Sequence, residues 1–166
     1  TNANKASNHT AAHLLAKSAG FKYKAIPYGG TADQRLALRQ GEVDFTCAKV
    51  ADVAKLVKGD KPELRVLAVF NTKRDPELPN VPTLGEKGLY PEWYGSARAL
   101  VAPKGTKPEV IQYYVEAFKK TMQDPAVIEA HKKAGMALDF KDNKELGDLI
   151  KAQDKFARDV VNDLYK

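Results

Sequence analysis

The stretch from Ile26 to Phe45, IPYGGTADQRLALRQGEVDF, constrains the fold of this chain more than any other segment. It has the pattern of a strand, a glycine turn, a helix and a second strand, which together form a βαβ unit. Gly29 and Gly30 carry no side chain, so their backbone N–H groups can approach a bound molecule closely. Thr31 and Gln34 have the spacing of a capping box, which predicts that a helix begins directly after the turn. Because a helix N-terminus favours negative charge, this turn is a candidate site for a carboxylate or a phosphate.

The segments around this unit continue the alternation of helices and strands. An ordinary turn between a strand and a helix also needs glycine and a cap, so the spacing alone leaves a purely structural turn open as an alternative. We predict helices over Thr10–Ser18 and 50–57, and strands over 21–26, 43–47 and 65–70. Such alternation is typical of a parallel sheet that is covered by helices on both faces, as in α/β proteins.

Three loops of this predicted sheet leave the carboxyl ends of strands and therefore gather at one edge, where ligands bind in open α/β sheets. They are residues 4–10, 28–31 and 47–50. The first of them belongs to this group provided that a strand precedes it. Each loop leads into a helix N-terminus, and Lys5 and Lys49 add positive charge. We predict an anionic small molecule as the ligand, although a solvated surface charge is the alternative for either lysine taken alone.

Composition excludes several classes of function. The 27 Lys and Arg residues exceed the 21 Asp and Glu residues by six, and this excess is spread along the chain, so nucleic-acid binding is not predicted. No apolar run approaches the roughly 20 residues that a membrane span requires. The first ten residues lack the pattern of a signal peptide, so an exported protein would have lost that segment. Cys47 is the only cysteine, which excludes an internal disulfide and a cysteine metal cluster.

Residues that could perform catalysis are few. His9 and His13 are four residues apart, but no HExxH motif accompanies them, so no metal site and no cofactor are predicted. Cys47 could act as a nucleophile with a histidine as its base, yet it ends an apolar strand, where free cysteine usually packs as a small hydrophobic residue. A small α/β enzyme acting on an anionic substrate remains the alternative to a binding protein, and a basic interaction module is a third.

The second half of the chain has a different character. Residues 75–91 contain four prolines and are predicted to form a long surface connection. Beyond them, apolar residues recur at helical spacing and mark amphipathic helices. The predicted elements are a strand over 93–102, helices capped by Thr106 with Glu109, by Asp124 and by Asn143, and a short strand over 136–140.

Motifs along nearly the whole chain resemble those of one family. They include TAAHL, IPYGGT, GEVDF, LRVLAV, ELPNVPTLGEKG, WYG and APKGTKPEVI, in this order. The family is the Bug-type extracytoplasmic solute receptors of tripartite tricarboxylate transporters. No single motif is specific, but their number and order identify the chain as similar to these receptors.

The resemblance implies a type II periplasmic-binding-protein-like fold of the α/β class and a non-enzymatic role. Such a receptor closes on a small organic carboxylate in the periplasm and delivers it to membrane subunits of the transporter. Residues 1–93 resemble the second ligand-binding lobe, a parallel sheet flanked by helices. Residues 94–166 resemble the crossover strand and the C-terminal helices of an incomplete first lobe.

Family receptors are about twice as long as this chain, so the resemblance implies a fragment that lacks the N-terminal half. The apolar faces after Tyr94 would then be uncovered, and we expect them to pair in a homodimer or a domain swap through residues 94–166. The signal peptide of an exported receptor would lie outside this chain.

Two departures from the family pattern bear on the ligand. A glycine-serine loop of the family is replaced by residues 4–7, which include Lys5. Receptors that bind amino acids carry an aspartate where this chain has Ala48, followed by Lys49. Because an unpaired buried cation costs several kcal/mol, the resemblance implies a carboxylate without an amine. The predicted ligand-binding residues are Lys5, Ser7, Thr10, Tyr28, Gly29, Gly30, Thr31, Cys47 and Lys49, and no catalytic residue is predicted.

Overall fold

The structure is a computed structural model that describes Thr1 and residues 6–164, with side-chain surroundings through residue 160. The chain forms two compact units, Thr1–Ser96 and Ala97–Lys166. Among the described residues, no helix combines the length and the apolar character that crossing a bilayer would require.

The helices of the first unit largely follow the sequence pattern. They are α1 (Ser7–Ala19), α2 (Thr31–Arg39) and the short α3 (Val50–Val53), followed by a 3-10 turn at Gly85–Lys87. Gly20 ends α1 in the left-handed region with φ of 72°, a conformation that glycine adopts without steric cost. The prediction of a helix over 50–57 was wrong in length, because α3 is a single turn that continues into irregular turns.

The strands predicted over 21–26, 43–47 and 65–70 do not form a regular hydrogen-bonded ladder within the described residues. An isolated parallel β-bridge joins Val69 to Thr83. Val69 N–H donates to the Pro82 carbonyl at 3.0 Å, and Leu84 N–H donates to the Val69 carbonyl at 3.0 Å. Side-chain alternation predicts a segment that suits a strand, but a ladder also needs a neighbour at hydrogen-bonding distance.

The core of the first unit is built mainly on α1. Ala11, Ala12, Leu14 and Ala16 of this helix are buried, and Ala37 of α2 and Val53 of α3 are buried as well. The description of residues 75–91 as a surface connection was incomplete, because three of their side chains are buried. These are Leu78, Thr83 and Leu84.

The second unit contains α4 (Pro108–Met122), α5 (Pro125–Lys133) and α6 (Asn143–Leu164). Asp124 caps α5 as predicted, since its carboxylate accepts from the N–H groups of the first turn. The other two predicted caps were wrong. Thr106 instead donates its hydroxyl to the Pro103 carbonyl, and α4 begins after Lys107. Asp142 caps α6, accepting from two backbone N–H groups of its first turn, in place of Asn143.

Large apolar side chains of the second unit lie open to solvent. On α4, the exposed fractions of Tyr114 and Phe118 are 52% and 45%, and on α6 that of Ile150 is 57%. No residue of α4 or α5 is buried. The predicted strands over 93–102 and 136–140 have no ladder partner within the described part of this unit. A hydrophobic core is therefore not closed within the described residues of this unit.

Candidate functional site

A buried glutamine connects the start of α1 to the residue before the third predicted ligand loop. Gln34, in the first turn of α2, is 1% exposed. Its Oε1 accepts a hydrogen bond from Asn8 Nδ2 at 3.3 Å and another from Thr46 Oγ1 at 3.1 Å. Asn8 lies in α1 and within the first predicted loop, and Thr46 immediately precedes the third predicted loop. One side chain at the start of α2 thus joins α1 to the residue before the third loop.

The other end of this glutamine is not satisfied. Gln34 Nε2 is buried and has no hydrogen-bond partner among the described residues. A buried amide donor without a partner costs about 1 to 3 kcal/mol. The sequence pattern predicted Gln34 only as part of a capping box, so its role as a connection between these segments was missed. Its position at an inward-facing site of an amphipathic helix was the available signal.

The glycine turn presents backbone N–H groups without the predicted cap. Gly30 is the N-cap of α2 and Thr31 is the first residue of the helix, so the prediction that Thr31 and Gln34 form a capping box was wrong. The Gln34 side chain bonds to Asn8 and Thr46, which removes it from the helix end. Gly30 is extended, with φ of −175°, and a Cβ built there would meet nothing within 4 Å. The space in front of this turn is therefore open to a ligand.

A carboxylate already lies beside the turn. Asp33 Oδ2 lies 3.2 Å from the position that a Cβ would occupy on Gly29. Negative charge is favourable in the first turn of a helix, so Asp33 stabilises α2 there. An anionic ligand on this side of the turn would meet like charge, whereas the Gly30 side is open. Asp33 is not among the predicted site residues.

The first loop leads into α1, whose N-cap is neither of the two hydroxyl residues near its start. Ala6 is the N-cap of α1, so neither Ser7 nor Thr10 caps this helix. Thr10 Oγ1 donates to the Ala6 carbonyl at 3.3 Å, because the hydroxyl of a helical threonine can reach the carbonyl four residues earlier. Ser7 lies at the exposed start of the helix. Lys5, the cation predicted in this loop, lies outside the described residues.

Tyr94 closes over the first turn of α1, which the sequence analysis missed as a site contact. Its hydroxyl donates to the Ser7 carbonyl at 3.1 Å. Burial raises the pKa of Tyr94, with the charge of the Cys47 thiolate as a smaller raising cause, and a hydrogen bond with Thr10 opposes both. Tyr94 therefore brings the WYG motif next to two predicted ligand residues.

The third loop contributes a thiol that is protonated at neutral pH and an exposed cation. Burial raises the pKa of the Cys47 thiol to about 11, and the N-terminal ammonium of Thr1 opposes this shift. Lys49 is exposed at the N-cap of α3, where its carbonyl accepts a hydrogen bond from Asp52 N–H at 3.0 Å, and its side chain forms no ion pair with a described residue. Ala48 is also exposed. Tyr28, predicted as a wall of the pocket, is half-buried, and its N–H donates to the Thr1 carbonyl at 2.7 Å.

The histidines of the first unit, His9 and His13, both lie in α1. His9 has an edge-on ring contact with Tyr23, with centroids 6.4 Å apart. Its pKa is lowered, first by burial and then by the positive charges of the Thr1 ammonium and His13. No group of three or more His, Cys, Asp or Glu side chains suited to a metal ion occurs within residues 1 and 6–164.

Comparison with curated proteins shows that the chain is similar to bacterial UPF0065 and Bug proteins. It is 38% identical over 117 residues, 70% of its length, to the "UPF0065 protein in gbd 5'region" of Cupriavidus necator. It is 30% identical over 156 residues, 92% of its length, to a UPF0065 protein of Agrobacterium vitis. It is 33% identical over 124 residues, 72% of its length, to Protein BugT of Bordetella pertussis. The matches span 35%, 44% and 37% of these relatives, so the chain spans less than half of their length.

Solved structures have the same fold. A TctC solute-binding protein from Polaromonas superposes with a TM-score of 0.82 at 25% identity, over 98% of this chain and 56% of that chain. Rpa4515 of R. palustris, described with adipate, superposes with a TM-score of 0.77 at 22% identity, over 99% and 54% of the two chains. These neighbours are consistent with the predicted periplasmic-binding fold of the α/β class, although the arrangement of lobes stays a prediction.

The family comparison covers almost the entire sequence. Residues 1–164 match the family described as "Tripartite tricarboxylate transporter family receptor". This confirms the resemblance that the sequence motifs indicated, and it agrees with a receptor rather than an enzyme. The chain therefore belongs to the receptor family of tripartite tricarboxylate transporters.

Proposed function

We propose that this chain is part of a periplasmic receptor that captures a small organic carboxylate without an amine and delivers it to the membrane subunits of a tripartite tricarboxylate transporter. The observation that carries this proposal is the connection of α1 to the residue before the third loop through Gln34, in a chain that belongs to a receptor family. Receptors of this family are periplasmic, and we propose the same location here.

The residues of the three loops suit a carboxylate. The Gly30 turn leads into a nine-residue helix, and a negative charge near a helix N-terminus is stabilised by about 0.3 to 1 kcal/mol. Lys49 supplies an exposed cation that forms no ion pair with a described acidic group. We propose that Thr10 and Tyr28 also contact the ligand. Rpa4515, which shares the fold, is described with the dicarboxylate adipate, and this is the first ligand to test.

The absence of an amine from the ligand is the finer part of the proposal. Ala48 offers no counter-charge to an ammonium group, and Lys49 beside it would repel one. Asp33 is the carboxylate nearest to the turn, but it lies against Gly29 rather than on the open Gly30 side. Adipate and 2-aminoadipate differ only in the amine, so their relative affinities test this point directly. A clear preference for 2-aminoadipate would contradict the proposal.

Substitution at Gly30 should reduce carboxylate binding without harming the fold. Gly30→Ala adds a methyl group where the structure has open space and where φ is extended, so any change in the free energy of unfolding should stay within about 1 kcal/mol. The methyl group would hold a ligand away from the backbone N–H groups. We expect the affinity for adipate, measured by NMR titration, to fall at least about tenfold, which corresponds to about 1.4 kcal/mol.

Asp33→Asn is a second variant of the same turn, and we expect it to change the affinity for adipate in the opposite direction. It removes the negative charge beside Gly29 while keeping the shape of the side chain. Removal of a like charge a few Å away should strengthen adipate binding about two- to fivefold. Unchanged affinity in both variants would show that the turn does not contact the ligand.

We also propose that residues 1–93 supply the second ligand-binding lobe and that residues 94–166 supply the crossover strand and C-terminal helices of the first lobe. The open apolar residues of α4 and α6 then belong to an incomplete lobe. Exposed apolar patches of this kind promote association.

Self-association through the second unit is the expected consequence. We expect light scattering coupled to size exclusion to give at least a dimer at micromolar concentrations. Phe118→Lys should shift the population to monomer, because it places a charge on the apolar face of α4. Gln112→Lys adds the same residue to the polar face of α4 and should leave the assembly intact. A monodisperse monomer of the unsubstituted chain would contradict the proposal.

A further inference from the structure

Tyr94 joins the first turn of α1 to a distant part of the first unit. Its hydroxyl donates to the carbonyl of Ser7, the first residue of α1, at 3.1 Å. Its backbone N–H donates to the Phe70 carbonyl at 3.3 Å, and the two rings meet edge-on with centroids 6.1 Å apart. Aromatic pairs of this geometry attract each other. One residue therefore holds the start of α1 against the segment that ends at Phe70.

The residues on either side of Tyr94 pack against each other. A Cβ built on Gly95 would lie 2.9 Å from Cζ2 of Trp93, which is closer than a real Cβ atom approaches a ring carbon. The Trp93 indole therefore lies directly on the Gly95 backbone, an approach that the lack of a side chain allows. This contact limits the backbone conformations of Tyr94, so its side chain has a defined direction. The Phe70 ring also packs against Tyr90, with centroids 6.0 Å apart.

The start of α1 depends on tertiary contacts of this kind. Ala6 is its N-cap, and no side chain caps the helix. The first turn of an uncapped helix opens readily, because its N–H groups lack partners within the helix. Side chains from other segments hold this turn, since Gln34 bonds to Asn8 and Tyr94 bonds to Ser7. The Tyr94 hydroxyl thus contributes directly to the position of the turn.

We propose that Tyr94 is a positioning residue for the carboxylate ligand. Through its bond to the Ser7 carbonyl, it holds the first turn of α1 in the orientation in which Ser7 and Thr10 contact the ligand. A turn that is ordered before binding loses less conformational entropy when the ligand binds. This inference rests on the proposed function and adds to it a residue that acts on the ligand through others.

The coupling runs in both directions, because linked binding and ordering events affect each other's free energy equally. A ligand that orders the first turn of α1 also restricts Tyr94 and its neighbour Trp93. Trp93 is the only tryptophan of the chain, so tryptophan fluorescence reports on this segment alone. We therefore expect adipate to change the emission of Trp93, which is not among the predicted site residues.

The test compares two hydroxyl deletions in the same aromatic cluster. Tyr94→Phe keeps the ring on Phe70 and removes the donor to Ser7. Tyr90→Phe is the matched control, because its ring also contacts Phe70 while its hydroxyl bonds to Glu92. Both variants delete one oxygen atom, so a difference between them is specific to the bond with α1.

Hydrogen exchange without ligand is the first measurement. The amide of Thr10 donates to the Ala6 carbonyl at the start of α1. Loss of one hydrogen bond that holds this turn should speed exchange at this amide at least about threefold in Tyr94→Phe and leave it unchanged in Tyr90→Phe. Equal exchange at this amide in the two variants would overturn the proposal.

An adipate titration distinguishes positioning from a purely structural role. By NMR, we expect the affinity of Tyr94→Phe to fall about three- to tenfold and that of Tyr90→Phe to match the unsubstituted chain. At saturating adipate, the change in Trp93 emission should be lost in Tyr94→Phe and kept in Tyr90→Phe. Faster exchange at Thr10 with unchanged affinity would show that the hydroxyl supports the fold alone, and this result would overturn the proposal.

The unsubstituted chain separates this inference from the proposed function. If it shows no binding of adipate, succinate or citrate, the proposed function fails and this inference falls with it. If it binds adipate and both variants bind adipate equally well, this inference alone is overturned.

Discussion

Replacing Gln34 by alanine should lower the free energy of unfolding by about 2 to 4 kcal/mol. The side chain is 1% exposed, so its removal leaves a cavity in addition to breaking the hydrogen bonds from Asn8 and Thr46. A loss of this size is a large fraction of the 5 to 15 kcal/mol that stabilises an ordinary domain. Urea denaturation of the full chain, followed by circular dichroism, measures it.

A matched pair of variants separates packing from hydrogen bonding at this position. Gln34→Leu fills most of the volume and removes the unpartnered Nε2, so its loss of stability should be about half that of the alanine variant. Gln40→Ala removes an exposed glutamine at the other end of α2 and should change stability by less than about 0.5 kcal/mol.

The same variants report on the ligand loops. Because Gln34 joins α1 to the residue before the third loop, Gln34→Leu should weaken adipate binding even where the fold is retained, whereas Gln40→Ala should not. If Gln34→Ala and Gln40→Ala have equal effects on stability, the buried network does not hold the loops.

Helix positions were predictable from local chemistry, since they depend on neighbours in the sequence. Gly20 ends α1 and Gly41 follows the end of α2, both in the left-handed region. Asp124 is the N-cap of α5, as expected from capping preferences. A cap acts within one helical turn, so its signal survives without knowledge of the rest of the fold.

The predicted helix caps were wrong where the capping side chain forms a hydrogen bond with another residue. Gln34 has the correct spacing to cap α2 but bonds to residues from two other segments. Thr106 bonds to the carbonyl of Pro103, leaving α4 without a side-chain cap. Sequence spacing shows which bonds a side chain can make locally, whereas tertiary neighbours determine which bond is made.

Strand pairing and site contacts could not be predicted from local sequence, because both depend on residues that are distant in the chain. Residues 21–26 have the alternation of a strand, but their pairing depends on a neighbour that alternation cannot identify. The three loops were predicted from the expected parallel sheet, and their role in binding stays a prediction. The contacts of Tyr94 with α1 and of Asp33 with Gly29 were not predicted, since nothing in their spacing indicates them.

Cys47 should react with a thiol reagent at pH 7.5 on the order of 10²-fold more slowly in the folded chain than in the chain unfolded by urea. Burial raises its pKa to about 11, whereas an ordinary cysteine has a pKa of about 8.5, so the folded state holds far less thiolate at neutral pH. The reaction is followed with iodoacetamide and mass spectrometry. Cys47 is the only cysteine, so Cys47→Ser is a complete control for labelling at other residues.

The pH profile separates a raised pKa from simple blockage of the thiol. With a raised pKa, the rate in the folded chain should keep rising up to about pH 11. The thiol should also contribute to stability below about pH 8.5, because the folded state favours the neutral form, and that contribution should be lost as the pH rises towards about 11. Cys47→Val should lack this part of the pH dependence. A fast reaction that levels off below pH 8 would instead reveal a low-pKa thiolate, which a nucleophilic enzyme requires and which the burial of Cys47 argues against.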